Sequence, residues 1–104
     1  MTIPEMQKAI YQNKVEKGFN LTNIHQEFCY IYGEVAEAYE AWGNNRPTLG
    51  EELADVAIYL LGLSEILGVD LQKEIERKIA INARRRYVQV DGEWKKFVDG
   101  EETP

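Results

Sequence analysis

Two runs of apolar residues, each recurring at alternating spacings of three and four, constrain the fold of this chain more than any other feature. This spacing places the apolar side chains along one stripe of an α-helix, because the helix repeats about every 3.6 residues. The stripe residues of the first run are Leu21, Ile24, Phe28, Ile31, Val35, Ala38 and Trp42. Those of the second run are Leu53, Val56, Leu60, Leu63 and Leu67. The sequence therefore predicts an all-α fold, a bundle of about four helices in which these two are the long core helices.

Capping residues and glycines predict the boundaries of the first two helices. Thr2 and Glu5 form a capping-box pattern around a proline, which is typical of a helix start, and Gly18 would end the first helix. The second helix should begin near Asn20 to Thr22, either of which can cap it, and run to Trp42. Gly43, in a left-handed conformation, should end this helix before a turn-rich segment.

The same signals define two more helices. Thr48 and Glu51 repeat the capping-box pattern, and Gly68 would end the third helix. Asp70 can cap a fourth helix, which we predict from residue 71 to about Tyr87.

The end of the chain has a different pattern. An Asp-Gly pair at 91–92 stands between two segments of alternating residues, which is a strong signal for a β-hairpin. We therefore divide the chain into an all-α domain at residues 1–87, a C-terminal β-hairpin at 88–98 and an acidic tail at 99–104.

The third helix is apolar on more faces than its own stripe, because it also carries Ala57, Ile58, Tyr59 and Leu61. A chain of 104 residues buries only about two-thirds of the surface that its unfolded form exposes. A helix that is apolar all round needs more cover than such a small bundle supplies. We therefore expect a homodimer or a dimer of dimers.

Composition and charge exclude several classes of protein. The net charge of −6 disfavours binding to nucleic acid, which is not an expected partner despite a basic patch at 84–86, Lys95 and Lys96. No apolar run reaches the roughly 20 residues that a membrane span requires. Cys29 is the single cysteine and no apolar leader opens the chain, so we expect a reducing, cytoplasmic location.

Two pairs of acidic residues carry the chemistry that the sequence predicts. Glu34 and Glu37 lie on the second helix, and Glu52 and Asp55 lie on the third. Each pair has the spacing i, i+3, which places both carboxylates on one helix face. All four directly precede a residue of the apolar stripe, so both pairs flank their stripes on the same side. If the two helices pack antiparallel, the four carboxylates converge on one patch beside the core.

Such convergence has an electrostatic cost. Two carboxylates roughly 5 Å apart repel by about 3 kcal/mol at an effective dielectric constant of about 20. A divalent cation removes this cost, and a donor set made only of oxygen suits Mg²⁺ or Mn²⁺ better than zinc. The alternative is that the acids are solvated and the chain is a non-catalytic helical dimerisation or binding module. On the second helix, Glu27 and Glu40 are expected either to be solvated or to contact the metal ligands without binding the metal themselves.

A polar stripe on the fourth helix offers positive charge for phosphate. Lys78, Asn82 and Arg85 follow one another at spacings of four and three, in line with apolar residues of the same helix. A lysine, an amide and a guanidinium on one helix face can hold a polyphosphate that a metal ion bridges from the other side.

Together these motifs resemble those of the MazG-type all-α nucleoside triphosphate pyrophosphohydrolases. The resemblance covers roughly residues 19 to 87. It rests on the segments G-E-V-A-E at 33–37 and E-E-L-A-D-V at 51–56, followed by Lys78, Asn82 and Arg85. Each acidic motif is weak alone, but the two at this separation are fairly specific together.

The resemblance implies a reaction and assigns roles to residues. Enzymes of this family use Mg²⁺ to cleave nucleoside triphosphates between the α- and β-phosphates, giving a nucleoside monophosphate and pyrophosphate, which would suit a house-cleaning activity. The metal ligands would be Glu34, Glu37, Glu52 and Asp55. The phosphate contacts would be Lys78, Asn82 and Arg85. For the catalytic base, Glu34 and Glu37 remain alternatives.

The base of a nucleotide requires an apolar or aromatic slot with a few polar partners. Candidates that flank the acidic helix are Phe19, Asn20, Tyr39 and Trp42. Packing in the core or at an interface is the alternative explanation for the last two.

Overall fold

In the computed structural model, which describes residues 1–98, the chain forms four helices followed by one two-stranded sheet. The elements are α1 (Ile3–Lys17), α2 (Ile24–Gly43), α3 (Leu49–Ile66), α4 (Leu71–Ala83), β1 (Arg85–Val90) and β2 (Glu93–Val98). The predicted all-α bundle with a C-terminal hairpin is confirmed. The predicted acidic tail at 99–104 lies outside the described residues. The chain divides into two compact units, Met1–Leu71 and the residues from Gln72 onward.

The boundaries of α1 follow from local signals. The Thr2 hydroxyl accepts a hydrogen bond from the Glu5 backbone N–H at 3.3 Å, and the Glu5 carboxylate accepts one from the Thr2 backbone N–H at 3.2 Å. Gly18, with φ at 70°, ends the helix in the left-handed conformation. Both predictions are confirmed, because a capping box and a left-handed glycine need no distant contact to form.

The ends of α2 differ from the prediction. Asn23 caps the helix, with its side-chain oxygen accepting from the Gln26 backbone N–H at 3.0 Å. Asn20 instead holds the preceding turn, since its Oδ1 accepts from the Asn23 N–H at 3.1 Å. Gly43 is the last helical residue, and the left-handed residue is Asn45, with φ at 53°. Asparagine tolerates this conformation, so the helix continues past the expected stop.

The start of α3 also corrects a prediction. Thr48 precedes the helix, but its side chain makes no capping hydrogen bond, and the capping box with Glu51 is not formed. The chain already turns here, because the Leu49 N–H donates to the Arg46 carbonyl at 3.3 Å, and Thr48 has ψ near 3° rather than an extended value. The predicted end is confirmed by Gly68, whose φ is 71°.

In the first unit, α1 and α2 both pack against α3. Among the described residues, the buried apolar ones are Ala38 and Ala41 on α2 and Leu61 and Leu63 on α3. At Gly62 a Cβ atom would lie 3.1 Å from Cγ2 of Ile10, so the missing side chain lets α1 approach α3 closely.

The predicted stripes are only partly covered within one chain. Of the α2 stripe, Val35 is 49% exposed and Trp42 is 63% exposed, and of the α3 stripe, Leu53 is 55% exposed. A single copy of the chain therefore does not bury α3 all round. Among the described residues, no helix is both long and apolar enough to cross a membrane.

In the second unit, α4 ends at Ala83 and β1 begins at Arg85, so the fourth helix is shorter than the prediction to Tyr87. The two strands pair antiparallel from Arg85 opposite Val98 to Val90 opposite Glu93. The turn residues Asp91 and Gly92 have φ values of 51° and 81°, as a two-residue hairpin turn requires. The hairpin thus begins earlier in the chain than predicted, because residues 85–87 also pair with the second strand.

Candidate metal centre

Two helices that run in opposite directions bring three carboxylates together. Glu34 and Glu37 come from α2 and Glu52 comes from α3, and one carboxylate oxygen of each lies within 4.8 Å of the others. The helices are antiparallel at this point, because Tyr30 on α2 contacts Tyr59 on α3 further along, with ring centroids 5.9 Å apart. We call the three carboxylates the acidic cluster.

Asp55, the fourth predicted ligand, lies beside the acidic cluster rather than within it. Its charge nevertheless acts on the cluster, since it contributes to raising the pKa of Glu34 and of Glu52. The i, i+3 spacing predicts a shared helix face but does not fix how far each side chain reaches.

Burial and mutual repulsion govern the electrostatics of the cluster. Desolvation is the main cause that raises the pKa of Glu34, and the neighbouring Glu37 carboxylate raises it further. For Glu52 the pKa is raised by desolvation first and then by the charge of Glu37. Among the ion pairs of the described residues, none joins these acids to a lysine or arginine.

One atom of the cluster is a polar group without a partner. Oε2 of Glu34 is buried and accepts no hydrogen bond. A buried carboxylate oxygen without a donor is costly, and a cation would satisfy it. The donor set consists only of carboxylate oxygens, which hard divalent cations prefer. These residues therefore fit a metal ion.

A cavity of about 320 Å³ is lined by residues of α1, α2 and α3, and its α2 residues lie on the helix face that carries Glu34. Its lining residues are Lys14, Phe19, Asn20, Glu27, Tyr30 and Tyr59. Desolvation raises the pKa of Tyr59, a residue of this lining, and the negative charge of Glu34 raises it further. Phe19 and Asn20, two of the predicted base candidates, thus lie in this cavity.

The burial of Glu27 excludes the first of its two predicted roles. This carboxylate is not solvated, since only 1% of the residue is exposed and its Oε1 accepts from the buried Lys14 ammonium group. A sequence signal for this pair exists. On α1, Gln7 and Lys14 continue the apolar line of Ile3 and Ile10 at helical spacing, and both polar residues are buried. Glu40, by contrast, is exposed and pairs with Arg46 at 2.9 Å.

The other predicted residues lie elsewhere. Tyr39 and Trp42 are exposed and stack on each other, with ring centroids 6.1 Å apart. Neither residue lines this cavity. Lys78 and Asn82 lie on α4, but Arg85 lies on β1, so the three do not form a stripe of one helix. All three belong to the second compact unit.

Two curated phage proteins are similar to this chain. A dATP/dGTP diphosphohydrolase of Cyanophage S-2L is 40% identical over 53 residues, which cover 51% of this chain and 50% of that protein. A dATP/dGTP diphosphohydrolase of Salmonella phage PMBT28 is 40% identical over 53 residues, which cover 50% of this chain and 18% of that protein. The match thus spans half or less of each relative. No protein-family model and no solved structure matches this chain.

Proposed function

We propose that this chain is a Mg²⁺-dependent nucleoside triphosphate pyrophosphohydrolase, which cleaves between the α- and β-phosphates to release a nucleoside monophosphate and pyrophosphate. The observation that carries the proposal is the acidic cluster, with its unpartnered Glu34 oxygen. The similarity to two dATP/dGTP diphosphohydrolases supports a nucleotide as the substrate. The resemblance of the acidic motifs to MazG-type enzymes supports the position of the cleaved bond.

The cluster residues Glu34, Glu37 and Glu52 would hold the cation, with Asp55 as a further ligand from the adjacent turn of α3. When bound, Mg²⁺ or Mn²⁺ neutralises charge on the phosphate oxygens and makes water easier to deprotonate. The protein contributes the fixed geometry: two rigid helices hold the acids in place before the substrate arrives.

The proton of the attacking water needs an acceptor close to the cluster. Glu34 or Glu37 is the proposed catalytic base, because both belong to the cluster. Glu37 is exposed to solvent water, whereas Glu34 is half-buried.

The negative charge of the triphosphate requires donors besides the cation. We propose Lys78, Asn82 and Arg85 for this role, since an ammonium, an amide and a guanidinium match phosphate oxygens chemically. Their recognition of phosphate is testable independently, because a loss of binding would raise KM for the triphosphate without removing the metal site.

The relatives suggest dATP and dGTP as first substrates to assay. Purified protein with Mg²⁺ is expected to release pyrophosphate from at least one nucleoside triphosphate in a panel of ribo- and deoxyribonucleotides. Detection of the monophosphate as the second product would establish the α–β bond as the one cleaved. Release of orthophosphate alone, or no turnover of any nucleotide, would contradict the proposal and favour the non-catalytic binding module.

We also propose that two copies of the chain associate through the exposed stripe residues of α2 and α3. Val35, Trp42 and Leu53 leave a contiguous apolar surface, since all three line one apolar cavity. Apolar patches of this kind are typical of subunit interfaces. A homodimer or a dimer of dimers would cover them.

A further inference from the structure

The buried ion pair in the cavity lining has no role in the proposed chemistry. Lys14 and Glu27 have side-chain exposures of 10% and 1%, and they join α1 to α2. Burying two charges is expensive, and an apolar pair of similar volume would often be as stable or more stable. Stability alone therefore does not explain why a small domain places these two charges at a cavity wall.

The pair retains unused hydrogen-bonding capacity. An ammonium group has three N–H donors, and one of those of Lys14 goes to Oε1 of Glu27. Glu27 Oε2 accepts from the Asn20 amide at 3.1 Å, and each carboxylate oxygen has a second lone pair. Both amide hydrogens of Asn20 are occupied, because Nδ2 also donates to the Asn23 carbonyl at 2.9 Å. The cavity thus presents a donor, Lys14, beside an acceptor, Glu27, held in place by Asn20.

The remaining walls are aromatic. Tyr30 and Tyr59 meet edge to face at 5.9 Å, and Phe19, from the loop between α1 and α2, is 55% exposed. Aromatic rings favour a planar ligand, because its faces can stack or pack on them without losing hydrogen bonds. The cavity is therefore suited to a flat heterocycle with one polar edge.

The position of the cavity relates it to the acidic cluster. On α2, Glu27 and Tyr30 precede Glu34 by seven and four residues, which places all three on one face. At about 1.5 Å per residue, the cavity lies about one to two turns from the cluster along the helix. On α3, Tyr59 follows Asp55 by four residues. Because α3 runs antiparallel to α2, the cavity residues of both helices lie in the same direction from the acids.

We propose that this cavity binds the base of a purine nucleotide, and that Lys14 and Glu27 recognise its polar edge. This inference rests on the proposed function. An adenine amino group can donate to Glu27 while a ring nitrogen accepts from Lys14. A guanine offers N–H donors to Glu27 and O6 to Lys14. Either purine thus pairs with the same donor and acceptor, with its triphosphate directed to the cluster.

The first test uses Phe19, an exposed wall residue whose removal leaves the core intact. Phe19→Ala should raise KM for dATP and dGTP about tenfold, since stacking on one aromatic side chain is lost, with little change in kcat. 2-Deoxyribose 5-triphosphate, which has no base, should be turned over equally well by both proteins. Tyr32→Ala is the matched control, because Tyr32 is an exposed aromatic residue of α2 that does not line the cavity.

The second test removes both charges together. The double variant Lys14→Met, Glu27→Met leaves no unpaired charge in the core. It should have a raised KM for dATP and dGTP, because the polar edge of the base loses both partners, and keep its turnover of the base-free triphosphate. An unchanged KM for both purine nucleotides in this folded variant would overturn the proposal. Should the double variant not fold, the Phe19→Ala result decides alone.

Binding without metal separates this inference from the proposed function. Titration of dAMP and dGMP into the wild-type protein in the absence of Mg²⁺ should give measurable heat that Phe19→Ala reduces. If no nucleotide is hydrolysed but this difference holds, the proposed reaction is wrong and the base site stands. If nucleotides are hydrolysed but Phe19→Ala changes neither KM nor dAMP binding, the reaction stands and the base site is wrong.

Discussion

Glu34 on α2 and Glu52 on α3 place carboxylate oxygens within 4.8 Å of each other, although they belong to different helices. Like charges at this separation repel, and in both residues the repulsion adds to desolvation in raising the pKa. The helix packing that covers the core therefore holds an unfavourable electrostatic arrangement in place. A ligand with positive charge would relieve it, and the following predictions depend on this relationship.

Divalent cations should stabilise the folded protein. A cation that binds the folded cluster and not the unfolded chain raises the melting temperature, and the increase grows with the logarithm of the free cation concentration above Kd. We expect Mg²⁺ or Mn²⁺ to raise the melting temperature in a thermal scan, and Glu37→Gln to reduce that increase. Glu40→Gln should respond to Mg²⁺ like the wild type, since Glu40 lies on the same helix but pairs with Arg46. An equal response in all three proteins would place the cation elsewhere.

Removing one carboxylate charge in or beside the cluster should reduce turnover strongly without unfolding the protein. Glu34→Gln keeps the shape of the side chain but loses a ligand, and Asp55→Asn tests the residue beside the cluster. We expect at least about a hundredfold loss of kcat/KM in each, with the helical circular dichroism spectrum retained. Glu51→Gln, an exposed neighbour of Glu52, is the control. Full activity in Asp55→Asn would remove this residue from the metal site.

The metal-free protein should become less stable as these carboxyl groups ionise. The folded pKa of Glu34 and Glu52 is raised above 4.5, so their protonated forms are favoured in the folded state. Their contribution to stability is complete below pH 4.5 and is lost as the pH rises through the raised pKa. In urea unfolding without metal, Glu34→Gln should therefore gain stability relative to the wild type as the pH rises from 4.5 to 8. A difference in unfolding free energy between the two proteins that stays constant over this pH range would contradict the prediction.

The Lys14–Glu27 pair should be far more sensitive to single than to double substitution. Lys14→Met or Glu27→Met alone leaves an uncompensated buried charge and should cost about 3–5 kcal/mol of unfolding free energy. The double variant should recover most of this loss. Arg46→Met removes the partner of Glu40 in an exposed pair and should change stability by less than about 1 kcal/mol. Additive losses at Lys14 and Glu27 in urea unfolding would show that the two charges act independently.

A charge within the exposed stripe should dissociate the proposed dimer. Leu53→Glu places a carboxylate on the apolar surface that includes Val35 and Trp42. Sedimentation should show an oligomer for the wild type and a monomer for this variant. Lys8→Glu, at an exposed position of α1, should leave the oligomer unchanged. A monomeric wild-type protein would exclude this role for the stripe.

The features that the sequence predicts correctly depend on neighbouring residues. The capping box at Thr2 and the turn at Asp91 and Gly92 form from residues within a few positions of each other, so the local pattern is sufficient. Thr48 shows the limit of such patterns. Its capping motif is present in the sequence, but the turn from Arg46 to Leu49 sets its backbone to a conformation that cannot cap.

Features that depend on packing can be predicted only in part from the sequence. Periodicity places Glu34, Glu37 and Glu52 on facing sides of two helices, yet the reach of Asp55 depends on how far apart the helix axes lie. The burial of Glu27 depends on Lys14 from another helix, which no pattern within α2 reveals. For Arg85, strand pairing with Val98 takes precedence over the helical spacing that linked it to Asn82.

The missing side chain at Gly62 offers a way to separate shape from charge in this protein. A Cβ there would lie 3.1 Å from Ile10 and 3.6 Å from Cδ of Lys14, both on α1. One added methyl group would require Ile10 to give way by a few tenths of an ångström, while every polar residue of the cavity would stay in the sequence. Gly62 thus fixes how closely α1, and with it Lys14 in the cavity lining, can approach α3.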